Sequence, residues 1–188
     1  MDPFVFKILT TAAILRAASG GVIPTFAGPW NAWVERFTTC SEDDKRIFLK
    51  ISHFNPSKKY ENQVWNGFMN VTVEMDDTWW SKGVLDVRSN NQWKENAFVF
   101  FFPKNGCSGA REILTEMFSK YFSKKGTPCR LVKRCVYFEN TTVAHEYPRF
   151  PIMPYGYYRL KITAGVTGAQ EPQYCLNMLC HIIPKIGS

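Results

Sequence analysis

Between Phe98 and Ile162 the hydrophobic period of the chain changes twice, and no other feature narrows the fold as much. Five consecutive apolar residues, Phe98-Val99-Phe100-Phe101-Phe102, end at Pro103 and the turn Asn105-Gly106-Cys107. A short apolar run bounded by turn residues predicts a strand covered on both faces. After Cys107 the spacing becomes helical, with Ile113, Leu114, Met117, Phe118, Tyr121 and Phe122 on one stripe. Ser108 supplies an N-cap, Glu112 lies in the first turn, and Lys120, Lys124 and Lys125 precede a terminating Gly126. The period then returns to two: Tyr158, Leu160, Ile162 and Ala164 alternate with Arg159, Lys161 and Thr163. A strand, a covering helix and a return strand are expected here, stapled by cysteines.

The six cysteines, Cys40, Cys107, Cys129, Cys135, Cys175 and Cys180, follow no zinc spacing, and His53, His145 and His181 are far apart. All six are therefore read as disulfide partners and no metal site is expected. The start of the chain fits that compartment. An apolar run from Ile8 to Leu15, with Arg16 inside the apolar region, lies between Lys7 and the small residues Ala17, Ala18, Ser19 and Gly20. This is the layout of a secretory signal over residues 1 to 20, leaving one domain over 21 to 188 in a secreted, extracellular protein. Asn70-Val71-Thr72 and Asn140-Thr141-Thr142 are glycosylation triplets. No other stretch approaches the roughly 18 apolar residues of a membrane helix, so an integral membrane protein is not expected.

The remaining segments read mostly as strands. Ile47, Leu49 and Ile51 alternate with Lys50 and Ser52, and Met69, Val71, Val73 and Met75 oppose Asn70, Thr72 and Glu74, which puts Asn70 in solvent. Leu85 and Val87 alternate with Asp86 and Arg88 before the turn Ser89-Asn90-Asn91. Pro24, Gly28 and Pro29 make residues 22 to 39 a tethered lead-in. Pro148, Pro151 and Pro154 make a shaped loop. Tyr174, Leu176 and Met178 mark a last strand, on which Cys175 and Cys180 have opposite parity and so different partners.

No Gly-x-Ser-x-Gly, Walker, His-Glu-x-x-His or Gly-x-Gly-x-x-Gly motif occurs, so neither an enzyme nor a cofactor is expected. His181 reads as a structural histidine. The aromatics lie on apolar runs rather than among exposed basic residues, which argues against nucleic acid. The net charge of +7 is partly local, in Lys120, Lys124, Lys125, Arg130, Lys133 and Arg134, a patch suited to anionic membranes, acidic glycans or an acidic protein partner.

Taken in order, Cys40 before the first strand, Asn105-Gly106-Cys107 opening a helix, Pro128-Cys129 after it, a Pro-rich loop, Tyr157-Tyr158-Arg159-Leu160-Lys161-Ile162 and Tyr174-Cys175-Leu176 make a pattern. It resembles the ganglioside-activator-like (ML-type) secreted lipid-binding proteins, closest to the insect branch that includes the chemosensory B proteins. The resemblance implies a mainly β fold, an antiparallel β-cup or sandwich with one covering helix around an apolar cavity, and a Cys40–Cys175 bridge. It implies a carrier of a lipid or other small hydrophobic ligand, such as a pheromone or cuticular hydrocarbon. With a cavity of that kind, the inward positions nominate Val71, Val73, Val99, Phe101, Leu160 and Ile162, with Leu114 and Phe118 on the helix. The alternative is an accessory protein without a cavity, docking on a membrane receptor or ion channel through the basic patch.

Overall fold

The computed structural model describes residues 26–41, 43–53, 55, 57, 61–113, 115–124, 126–143, 150–169 and 171–185. The signal expected over residues 1 to 20, together with Leu114, Lys125 and His145, lies outside the described residues. The described chain runs β1 (Ala27–Gly28), β2 (Trp30–Thr39), β3 (Ile47–Ile51), β4 (Gln63–Val71), β5 (Trp79–Ser89), β6 (Gln92–Phe102), α1 (Gly106–Ile113), α2 (Thr115–Tyr121), β7 (Arg134–Val143), β8 (Met153–Pro154), β9 (Gly156–Val166) and β10 (Tyr174–Pro184). Five strands form one sheet in the order β2-β10-β9-β5-β6, and three form another in the order β3-β4-β7. All the pairings are antiparallel, and neither sheet closes into a barrel.

The main core lies where the two sheets meet. Val34, Tyr158, Met178, Cys180 and Ile182 of the larger sheet pack with Trp65, Val136 and Phe138 of the smaller one. The Trp65 ring meets Phe37 edge-on at 5.0 Å and Phe138 at 6.1 Å. Alternation makes this possible, because the polar residues between these positions turn outward. Opposite the β4 stretch from Trp65 to Gly67, β7 carries one extra residue between Phe138 and Thr141. A Cβ on Gly67 would sit 2.0 Å from the Phe48 carbonyl oxygen, at a φ of +133°, so only glycine fits. β5 and β6 turn through Asn90 and Asn91, both at positive φ, the geometry that matches the twist of a tight hairpin.

A second core forms under the helices, where Phe118 packs with Met75, Trp79, Ala164 and the Cys107–Cys129 disulfide. Instead of one helix, two short ones follow each other. Their start is capped from a distance: the Asp77 carboxylate accepts from the Ser108 backbone N–H at 2.8 Å and from its hydroxyl at 2.7 Å. Ser108 thus lies inside the first turn rather than at the N-cap, and Asp77 supplies the anion that the helix start favours. The Cys40–Cys175 bridge, expected from the resemblance, ties the end of β2 to the start of β10.

Four other expectations are corrected. The segment read as a lead-in contains β2, a ten-residue strand, because its polar residues Glu35, Arg36 and Thr38 occupy one face. The strand read from Met69 to Met75 ends at Val71, and Met75 makes only an isolated bridge with Leu131. β6 is an edge strand, not one covered on both faces. Cys135 and Cys180 are unpaired: Cys135 is exposed on β7, whereas Cys180 is buried in the core.

Candidate ligand-binding cleft

Register fixes which side chains of the larger sheet point toward the smaller sheet and the helices. One inner row reads Phe98, Leu85, Leu160, Met178 and Phe37, and the next reads Phe100, Gly83, Ile162, Leu176 and Thr39. Beyond it lie Phe102, Ser81, Ala164 and Tyr174. Leu85, Met178, Ser81 and Ala164 in the flanking rows are buried. Every member of the middle row, across all five strands, is only half-buried. Between Phe100 and Ile162 in this row stands Gly83, where an added Cβ would meet Leu160 Cδ1 at 3.7 Å and Phe100 Cδ2 at 3.9 Å. Those are ordinary contact distances, and Gly83 is not among the positive-φ glycines, so neither crowding nor strain explains glycine there. A strand glycine with room above it leaves space for another group to approach.

The row contains one of the eight expected lining residues, Ile162, and Leu160 lies in the row beside it. Phe118 is buried in the helix-side core. Val71 is buried at the end of β4. Three others are corrected. Val73 is 37% exposed, held only through its backbone, whose N–H and C=O both bond the Tyr174 hydroxyl. Val99 and Phe101 are 48% and 56% exposed on the outer face, because pairing with β5 turns Phe98, Phe100 and Phe102 inward. An unbroken apolar run carries no parity signal, so only strand pairing could have chosen between them.

The basic patch is partly spent on local structure. Arg130 pairs with Glu74 at 2.6 Å, and Arg134 donates to the Tyr121 carbonyl at the end of α2. Lys124 and Lys133 are exposed. Asn70 and Asn140 are exposed as well. His181 is stacked between Trp33 at 4.1 Å and Tyr157 at 4.3 Å, with Nε2 3.4 Å from Glu35. Asp77 clusters with the Cys107 and Cys129 sulfurs, but both sulfurs are committed to the disulfide and offer no thiolate to a metal. Burial pushes the Cys180 thiol up to about 12, so it packs as a small apolar group.

No family model matches the chain, and no curated protein matches it.

The opposite face of the larger sheet has a different character. There a recess of about 670 Å³ is lined by Arg36, Lys82, Arg159 and Lys161, by Asp86 and Glu95, and by Thr38, Thr163 and Asn177. Asp86 accepts from Arg159 Nε at 2.8 Å and from the Asn96 backbone N–H at 2.9 Å, which pins the bulged part of β6. These cations come from β2, β5 and β9, so no window of the sequence brings them together.

Proposed function

We propose that this chain is a secreted, glycosylated carrier that binds a lipid or similar small hydrophobic molecule, without turnover, in the cleft over Gly83. The half-buried apolar row from Phe100 to Leu176 carries the reading, since side chains of a finished core would be covered. Its flanks are largely apolar, with Phe98 and Leu160 on one side and Phe102 and Ala164 on the other, and the Thr39 hydroxyl at one end, which donates to the Ser41 carbonyl at 2.7 Å, is left to accept from a ligand head group. The order of motifs that resembles the ganglioside-activator-like carriers supports the same reading, with a pheromone or cuticular hydrocarbon as the ligand class. Burial of ligand surface at about 25 cal/mol per Å² would supply most of the affinity.

The test is native mass spectrometry of protein secreted from a eukaryotic host, followed by denaturation and analysis of what is released. A lipid-sized adduct on a chain lacking about the first twenty residues, with glycans at Asn70 or Asn140, is the expected result. A bare chain that also takes up no added fatty acid would refute the carrier.

A further inference from the structure

The recess on the outer face of the larger sheet has no lining residue in common with the half-buried row from Phe100 to Thr39, so what it binds is a separate question. We infer that it is a binding site for an acidic polysaccharide, a hydroxyl-rich polyanion such as a sulfated glycan. Four cations line it against two carboxylates. Arg159 is already held by Asp86 at 2.8 Å and lies 3.8 Å from Glu95. Arg36, Lys82 and Lys161 make no ion pair among the described residues. All three are exposed. Uncompensated positive charge in a sheet recess sets a field that concentrates anions.

The spacing of these cations chooses among anions. Arg36 is on β2, Lys161 on β9 and Lys82 on β5, so three strand spacings, about 14 Å, separate the first from the last. A single phosphate or sulfate would need donors converging on one point, whereas these are strung across the sheet. Between them stand Thr38, Asn177 and Thr163, which both donate and accept hydrogen bonds. That alternation suits a chain bearing hydroxyls between its charges. At the open edge Phe101 lies directly across from Lys82, 56% exposed, an aromatic face for the C–H side of a sugar ring. A flat membrane fits less well: the cations sit within a recess, and its β6 border presents the exposed carboxylate of Glu95. Beyond Arg159, which lies over Trp93 at 5.0 Å, the same face carries Trp33 and Tyr157 stacked on His181, with Trp93 tilted against Tyr157.

The experiment measures binding of a heparin-derived octasaccharide, with a neutral dextran fragment, a polyglutamate peptide and phosphatidylserine vesicles alongside. The outer-face triple variant Arg36→Gln/Lys82→Gln/Lys161→Gln is compared with Lys120→Gln/Lys124→Gln/Lys133→Gln, which removes the same charge elsewhere. The outer-face variant should weaken octasaccharide binding at least tenfold and flatten its salt dependence, while the control changes it less than threefold. Asn177→Ala should weaken octasaccharide binding several-fold and leave the attraction to polyglutamate unchanged. Matched melting curves establish that both triple variants fold, and the single Lys161→Gln variant carries the test if the triple does not. Equal losses in the two triple variants would show only the general attraction of a basic chain and overturn the site. Polyglutamate or vesicles bound as tightly as the octasaccharide would overturn the ligand class.

Discussion

Replacing Gly83 with leucine should block uptake of a fatty acyl ligand while leaving the fold intact. An added Cβ there meets Leu160 Cδ1 at 3.7 Å and Phe100 Cδ2 at 3.9 Å, so alanine fits without displacement. Gly83→Ala should even stabilise the protein by about 0.4–1 kcal/mol, by restricting the unfolded chain. Leucine adds three further carbons that project from the sheet into the half-buried row. They take the room of about three ligand methylenes at about 0.8 kcal/mol each, a loss of about 2.4 kcal/mol or roughly fifty-fold in Kd. In a closed core the same three carbons would instead strain the packing by about 1–3 kcal/mol and lower the melting temperature by several degrees. The assay is displacement of a fluorescent fatty acid, read beside thermal unfolding of the apo protein. Affinity lost with melting unchanged or raised is the expected pattern. A Gly83→Leu protein that melts early yet binds the probe as well as the parent would refute the cleft.

Three more outcomes are expected. In the folded protein a thiol reagent should label Cys135 alone, and after denaturation Cys180 also, since one thiol is exposed and the other is buried with its ionisation suppressed; peptide mapping reads both. Serine replacement of both Cys40 and Cys175 should cost more stability in urea than replacement of Cys107 and Cys129. The first bridge spans 135 residues and the second 22, for which chain entropy gives about 5 and about 3 kcal/mol. Asp44 sits 2.5 Å from Arg46, whose hydrogen bonds to the carboxylate hold its pKa below the ordinary value of 3.8. Its ionised form thus favours the fold, with the contribution complete above about pH 4 and lost as the pH falls through the depressed value. Asp44→Asn should flatten that acid limb in a pH series of melting temperatures and leave little change in the slope near neutrality.

The strands legible in the sequence were those with strict alternation. Leu160 and Ile162 of β9 and Met178 of β10 fall on the inner face as their period predicts. Leu85 pairs beside Leu160 for the same reason. β2 was hidden because Pro29 and the polar run Glu35-Arg36 broke the apolar count, although those polar residues occupy the solvent side of a real strand. The half-buried row was illegible in part because one of its members is Gly83, which has no hydropathy to alternate. The outer recess was missed for another reason: Arg159 and Lys161 fall on the polar side of β9 as their period predicts, but only strand order makes Lys82 and Arg36 their neighbours. An even count of cysteines suggested full pairing. Parity already placed Cys180 opposite Cys175, on the core side, where a thiol can remain as packing.

Both candidate sites follow from one mismatch, five strands facing three. The smaller sheet covers the end of the larger one where Tyr158, Cys180 and Val34 lie, and those residues are fully buried. The helices cover the other end, where Trp79 and Ala164 join Phe118. The two cores, with Phe122 packed against both, meet along a seam, and the half-buried row from Phe100, which packs against the first core, to Thr39 lies on it. The smaller sheet ends at β7, where Phe138 meets Tyr121 of α2 at 4.9 Å, and the helical layer is held by its own Cys107–Cys129 bridge. Among the described residues no layer covers the outer face, so its side chains are free to be charged. A sheet covered by two partial layers thus offers an apolar seam on one side and a cationic recess on the other, and a ligand in either need not touch the other.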